Sequence, residues 1–429
     1  MTTSIIKTIG ELIHDTRFAS NITITQLSEL SGINKGTISR IEKSEIKRPD
    51  FSTVRLLTTS LGIPFETLVD YYVEGEKRSD LLFDILQATI KQKSSNELIR
   101  KVAVKYLKAP NEDSVDLTEK LYKYIGSIED TSMKLSLYDL IIEHSRSHGI
   151  MPYIAKGLYQ KYLIERNDFM RMKGTYFDGK YVIHYIDFLS KEERIELYYK
   201  LGIHTYNLRL YNESVEYCKK VFVEDDDSSS PYRVHAIAVL RDCFFALGEY
   251  KESEIYSIQY KQFNYPNTQE HVVLMEALFK AVKGNEDQAI KELKSFFETC
   301  SDAFILPAAR HLIRLCLDQN RIDDVKIVLE SGRVNSSIMT KSNPLTYYGY
   351  GEFLKLQGDY YLAIGEIEKC INALMDGALC FSKISDTIKE KECLQKILHI
   401  HLENNTSMSK HILQKLSNYY YMSTNETEG

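Results

Sequence analysis

The sequence predicts an all-α protein: a module of five short helices over residues 1–72, a linker over 73–80, and a solenoid of helical hairpins over 81–416. Three observations carry this. Only 8 Pro and 20 Gly occur in 429 residues, too few for a fold built of many short strands and turns. Apolar residues recur at helical spacing from the N-terminus onward. A turn-like tripeptide then returns every 36 to 39 residues, the mark of a repeat architecture.

In the first module, Ile5, Ile9, Leu12, Ile13 and Thr16 line one face of a helix that ends near Arg17 or Phe18. Thr23 opens a second helix, with Gln26 three positions on, so that hydroxyl and amide satisfy each other's free backbone N–H groups. Leu27 and Leu30 point inward and Ser31-Gly32 ends it. Asn34 caps a third helix, Lys35 to Lys43, with Ile38 and Ile41 inward. A fourth helix is expected over Ser52–Leu61 and a fifth over Phe65–Tyr72, introduced by Pro64.

Two short helices around a Gly-containing turn form the helix-turn-helix pattern, whose second helix enters the major groove of DNA. Lys35, Gly36, Ser39 and Arg40 point away from Ile38 and Ile41 and are placed to reach base edges. Thr37, Lys43, Lys47 and Arg48 are placed for phosphates, which fix register and supply salt-dependent affinity.

A net charge of −6 speaks against a nucleic-acid binder until its distribution is read. Residues 1–78 hold ten Lys+Arg and ten Asp+Glu, and within them residues 33–55 hold six basic against three acidic side chains. All the net negative charge therefore lies further along the chain. A basic face on an acidic body suits a protein that reads DNA through one module only.

The stretch SGINKGTISRIEKSEIKRPDFSTVRLLTTSLGIPFETL, residues 31–68, resembles the phage-repressor-like XRE/Cro five-helix domain. Gly32, the run Thr37-Ile38-Ser39-Arg40-Ile41-Glu42, and Lys47-Arg48-Pro49 carry the resemblance. Where many members have Gln at the first position of the second helix, this chain has Ile24, which removes one customary phosphate contact. One such module reads a half-site, so a palindromic double-stranded operator and a homodimer or higher homo-oligomer are implied.

Beyond the polar stretch Glu74–Asp80, five tripeptides recur: Arg209-Leu210-Tyr211, Gly248-Glu249-Tyr250, Gly284-Asn285-Glu286, Asn320-Arg321-Ile322 and Gly358-Asp359-Tyr360. Three residues after each stands Ser214, Ser253, Ala289, Val325 or Ala363, mostly a small side chain where two helices must approach. A more degenerate unit is centred on Asn167-Asp168-Phe169. The pattern resembles tetratricopeptide repeats, with Leu201-Gly202 and Gly351 at the Leu-Gly positions of the first helix. It departs in its longer period, in the absence of Trp, and in Arg241 where a small residue is expected.

Such a stack makes a concave groove suited to an extended peptide. First-helix geometry selects Tyr206, Asn207, Asp242, Phe245, Leu278, Arg310, Arg314, Tyr348 and Glu352 as lining residues. Asn207 can hold a peptide backbone through donor and acceptor together, and Arg310 with Arg314, one turn apart, suits a carboxylate. An XRE-like head on a degenerate tetratricopeptide body resembles the RRNPP family of peptide-responsive quorum-sensing regulators, at the size of its NprR and PlcR type. That resemblance implies transcription control by a small signalling oligopeptide. Related repeat proteins act on phosphorelay response regulators through a helical bundle, for which residues 81–150 are the candidate segment. The alternatives are thus a bifunctional protein or a peptide-independent repressor.

Seven cysteines, odd in number and without a CxxC pair, suggest neither disulfide framework nor zinc ribbon. The N-terminus lacks a signal-peptide core and no run of 18 apolar residues occurs, so a cytoplasmic protein without membrane contact is expected. His144 and His148, one turn apart, lack a third ligand pattern; His399 and His401 fall on different helix faces. Asp225-Asp226-Asp227 before Ser228-Ser229-Ser230-Pro231 reads as a solvated connector. No nucleotide-binding or hydrolase motif appears, so neither an enzyme nor a cofactor is expected. Residues 417–429 are read as a polar tail.

Overall fold

The computed structural model describes residues 8–335, 338–339, 343–403, 408 and 410–425, and among them it is all-α, with no strand. Backbone packing divides the chain into two compact units, residues 1–164 and 165–429.

The first unit starts with α1 (Ile9–Ala19), α2 (Ile24–Ser31), α3 (Lys35–Glu42), α4 (Phe51–Ser60) and α5 (Phe65–Gly75). Ile5 lies outside the described residues. The caps are as the sequence implies, but Leu30, expected inward beside Leu27, is 63% exposed. Thr23 and Gln26 form a reciprocal cap at the start of α2, Gly32 ends it with φ +71°, and Asn34 Oδ1 accepts from Gly36 N at 2.8 Å at the start of α3. Ile13, Leu27, Ile38, Val54, Leu57 and Leu68 are shut from solvent and form the centre of the module.

That core does not stop at residue 72. It runs on without a break through α6 (Ser79–Lys91), α7 (Asn96–Leu107), α8 (Ser114–Gly126), α9 (Thr131–His148) and α10 (Met151–Glu165), from Ile13 to Tyr153. The expected solvated linker over 73–80 is instead a packed corner. Glu76 is buried, and its carboxylate accepts from Lys77 N at 2.8 Å, Arg78 N at 2.9 Å and Arg78 Nε at 3.1 Å. Lys101 and Lys105 of α7 bind Asp70 and Glu74 of α5, each at 2.6 Å, and so fasten the five-helix module to the helices that follow. The division that packing makes falls near residue 165, because no gap in apolar burial separates α5 from α6.

The second unit begins with a short 3-10 turn, Phe169–Arg171, and α11 (Met172–Val182), and then stacks hairpins. These are α12 (Lys191–Asn207) with α13 (Tyr211–Glu224), α14 (Pro231–Ala246) with α15 (Tyr250–Tyr260), α16 (Thr268–Val282) with α17 (Glu286–Thr299), α18 (Asp302–Asp318) with α19 (Ile322–Glu330), and α20 (Pro344–Ala363) with α21 (Ile367–Ser382). α22 (Thr387–Glu403) and α23 (Lys410–Asn425) follow, so helix occupies most of the segment expected as a polar tail.

The five hairpin turns share one backbone form. Arg209, Gly248, Gly284, Asn320 and Gly365 have φ of 59°, 79°, 82°, 53° and 79°. The residue after each donates its N–H five residues back, as Leu210 does to Thr205 O and Glu366 to Tyr361 O, which is the Schellman closure of a helix C-terminus. The fifth turn is therefore at Gly365, and the expectation at Gly358-Asp359-Tyr360 is corrected. Gly358 lies inside α20, where a Cβ would meet Leu374 Cγ of α21 at 3.2 Å. It is the twin of Gly202, where a Cβ would meet Cys218 Sγ at 2.7 Å. In the first hairpin Ser214 Oγ donates to Gly202 O at 2.7 Å, and in the second Ser253 Oγ donates to Arg241 O at 2.8 Å. The small residue after the turn thus bonds the first helix twelve residues back, and Cys370 occupies that place in the fifth hairpin.

The second unit is not a purely nearest-neighbour stack. Ser385 Oγ donates to Met170 O at 2.6 Å, and Arg209 pairs with Asp386 and stands 4.3 Å over the Tyr348 ring. The α12–α13 turn is thereby tied to α20 and to the α21–α22 turn.

Candidate nucleic-acid interface and repeat interior

α3 is aimed by α1. Arg17 at the end of α1 donates Nε to Glu42 Oε1 at 2.6 Å and a terminal nitrogen to Glu42 Oε2 at 2.7 Å, and its other terminal nitrogen reaches Ile22 O at 2.9 Å. Both side chains are nearly enclosed, at 11% and 5% exposure, so this is a two-pronged, water-poor clamp at the end of the helix that would meet DNA. Gly10 of α1 is buried against the same helix, where a methyl group would overlap the Ile41 carbonyl oxygen. The turn after α3 is held by Tyr72, whose hydroxyl donates to Pro49 O at 2.9 Å while burial pushes the phenol up to about 12.

With α3 fixed, Ile38 and Ile41 are buried, Lys35, Gly36 and Arg40 are exposed, and Thr37 and Ser39 are half-buried beside them. Lys43, Lys47 and Arg48 are exposed on the following turn. Arg40 lies 3.9 Å from Glu45, with both side chains more than half exposed, so the contact leaves the guanidinium available. The eight sequence-derived residues therefore share one helix and its C-terminal turn. Arg17, Gly10 and Tyr72, which hold that surface, escaped the sequence reading, because their partners lie on other helices or, for Tyr72, in the turn after α3.

In the second unit the expected groove residues divide. Tyr206, Arg310 and Tyr348 converge: Arg310 stands 5.4 Å from the Tyr348 ring, on which Arg209 also packs. Burial raises the Tyr206 phenol well above its ordinary value. Asn207 Oδ1 and Arg310 Nε are closed to solvent and have no hydrogen-bond partner. Leu278 is corrected to a core residue, 5% exposed. Phe245 packs against Phe279 and Tyr250 with ring centroids 5.8 and 5.3 Å away. Asp242 accepts from Arg241 Nε at 2.8 Å. Arg314 donates to Glu352 at 2.8 Å, so it already has a carboxylate partner within the chain.

His144 and His148 stack at 4.0 Å, but Ser114 Oγ occupies His144 Nε2 at 2.7 Å, and burial pulls His144 down to about 4. Among the described residues no group of three His, Cys, Asp or Glu side chains has metal-binding geometry. The seven cysteines are free thiols, and all but the half-buried Cys380 are buried. No helix of the described residues is long and apolar enough to cross a membrane.

This architecture, an N-terminal helix-turn-helix followed by helical hairpins, defines the class of protein. Residues 16–68 match the helix-turn-helix family HTH_3, and the N-terminal domain is of this XRE type. The uncharacterized HTH-type transcriptional regulator RghRB of Bacillus subtilis is 35% identical over 60 residues, which are 14% of this chain and 43% of that protein. The match thus spans less than half of that relative's length. Three solved structures are similar. A tetratricopeptide repeat protein of Parabacteroides merdae is 13% identical, with TM-score 0.48, over 65% of this chain and 98% of the other. Bacillus thuringiensis PlcR in complex with the peptide PapR7 and DNA is 11% identical, with TM-score 0.24, over 90% and 98%. A signal-transduction ATPase with a tetratricopeptide repeat sensor from Pyrococcus horikoshii is 11% identical, with TM-score 0.39, over 94% and 72%.

Proposed function

We propose that this chain is a sequence-specific transcriptional regulator of the RRNPP kind, acting in the cytosol as a homodimer on a palindromic operator. A small oligopeptide held by the first helices of the repeat unit sets its activity. The observation that carries the DNA half is the clamped third helix: Lys35, Gly36, Ser39 and Arg40 face outward from a helix that Arg17 and Glu42 hold in place. Arg and Lys suit guanine edges, while Lys43, Lys47 and Arg48 suit phosphates. Two modules about one helical turn of DNA apart read a palindrome, which makes the dimer part of the reading. Support for the peptide half comes from Asn207 and Arg310, which leave a buried acceptor and a buried donor unpartnered on the inner helices.

Selection of the full-length protein against a random double-stranded DNA pool tests the first half. The expected outcome is an inverted repeat that Arg40→Ala no longer selects; recovery of no common sequence overturns it. Adding peptides to the selected complex tests the second half through a change in operator affinity.

A further inference from the structure

The last helix of the reading module belongs equally to the bundle that follows it. Leu68, Val69, Tyr72 and Val73 of α5 are buried in the core that continues through Ile99, Val102 and Tyr106 of α7. Beside that apolar seam, Glu66, Asp70 and Glu74 stand at intervals of four on α5 and so form one carboxylate stripe. α7 answers it along the same length. Glu66 Oε1 accepts from Ser95 N at 2.7 Å, Asp70 pairs with Lys101 at 2.6 Å, and Glu74 pairs with Lys101 at 2.7 Å and with Lys105 at 2.6 Å. Lys101 and Lys105 together hold the Glu74 carboxyl below its ordinary range. Past the end of α5 the chain is pinned once more, where Ser79 N donates to Asn111 Oδ1 at 3.0 Å and Asn111 Nδ2 donates to Ser79 Oγ at 3.1 Å.

One partly exposed ion pair contributes little, but three carboxylates in register on one helix face fix both its rotation and its slide against the neighbouring helix. The consequence falls on α3. An unpacked eight-residue linker over 73–80 would have a root-mean-square span of ~15 Å, whereas each base pair adds ~3.4 Å and about a tenth of a turn between half-sites. A module on such a linker would follow its half-site across several spacings. A module locked to α6–α10 carries α3 in a single direction relative to the rest of the first unit.

We propose that the DNA-reading head is the whole first unit, and that Glu66, Asp70 and Glu74 are positioning residues that make the protein read the distance between operator half-sites as well as their bases. This rests on the dimer reading above and adds selectivity for spacing to it.

The test uses operators of graded spacing. The half-site found by selection with the full-length protein is rebuilt into inverted repeats with the selected spacer, with spacers shorter or longer by one or two base pairs, and into a duplex with one half-site. Binding is read by fluorescence anisotropy at one salt concentration. The parent is expected to lose at least about tenfold in affinity for each base pair added or removed. The triple variant Glu66→Gln, Asp70→Asn, Glu74→Gln keeps side-chain shape and removes the stripe. Its loss per base pair is expected to shrink below about threefold, with base preference and single-half-site affinity unchanged. Insertion of Gly-Ser-Gly-Ser between Lys77 and Arg78 opens the corner and is expected to flatten the dependence further.

Equal binding of the parent across all spacings overturns the proposal and leaves the dimer reading standing. A triple variant that weakens on every duplex by the same factor, with the parent's spacing ratios intact, shows a merely structural stripe and also overturns it. A flat profile for the insertion alone, with the triple variant like the parent, assigns the lock to the apolar seam and overturns the role of the three carboxylates. If selection returns one half-site without an inverted partner, the dimer reading falls and takes the spacing proposal with it.

Discussion

Arg17 holds Glu42 by two parallel hydrogen bonds of 2.6 and 2.7 Å across 25 residues of sequence, and through that pair α1 fixes the direction of α3. Replacing Arg17 by Met leaves a buried carboxylate without its partner. The expected loss is ~3 kcal/mol, read by denaturant unfolding, with weaker operator binding but unchanged base preference. Arg17→Met combined with Glu42→Leu is expected to recover most of the stability, because the pair is then replaced by apolar contact.

Gly10 tests the same relationship sterically. Gly10→Ala drives a methyl group into the Ile41 carbonyl and is expected to cost ~1–3 kcal/mol and to reduce operator affinity through a shifted α3. Gly75→Ala, at the end of α5, meets nothing within 4 Å. It is expected to leave binding unchanged and stability equal or higher by ~0.5–1 kcal/mol, measured by thermal melting.

Base contacts and phosphate contacts separate by salt. Arg40→Ala is expected to relax base preference at one operator position by ~1–3 kcal/mol. Lys47→Ala is expected to weaken binding to all sequences alike and to lower the slope of log affinity against log salt by about 1. Titrations of matched and mismatched operators at three salt concentrations distinguish the two outcomes.

Glu76 gives the first unit a pH dependence of known sign. Burial alone would raise its carboxyl pKa, but the Arg78 side chain and the Arg78 and Lys77 backbone N–H groups outweigh burial and pull it from 4.5 to about 2. Stability from this group is therefore fully present above pH 4.5 and is lost as pH falls toward about 2. Glu76→Gln is expected to be less stable than the parent at pH 6, with the gap narrowing across that window. A gap that stays constant from pH 6 to pH 2 contradicts the assignment.

The legible part of the molecule was whatever is written within one helical turn. Thr23 with Gln26, Gly32, Asn34 and the inward Ile38 and Ile41 needed only helix geometry and backbone bonding rules. The repeats were legible by the same token, because an αL turn followed by a small residue recurs. The fifth repeat was misplaced because Gly serves two purposes with one letter: positive φ at Gly365, close helix approach at Gly358. The polar letters of residues 73–80 concealed that Glu76 is buried around its own backbone and Arg78. Leu278 fell on the first helix of its hairpin yet faces the core.

What the sequence determined by itself is the all-α class, the helix-turn-helix with its outward basic residues, and the hairpin turns, since caps and Schellman closures bind groups two to five residues apart. Tertiary structure alone decided which charges are spent and which are free. Arg314 is paired with Glu352, Arg209 with Asp386 and Arg17 with Glu42, whereas Arg310 stands against the Tyr348 ring with its Nε closed to solvent and without a hydrogen-bond partner. It also decided where the first unit ends and that Ser385 meets Met170 across 215 residues. The reason is physical: desolvation and ion pairing depend on what surrounds a group in space, and a linear pattern records only its neighbours along the chain.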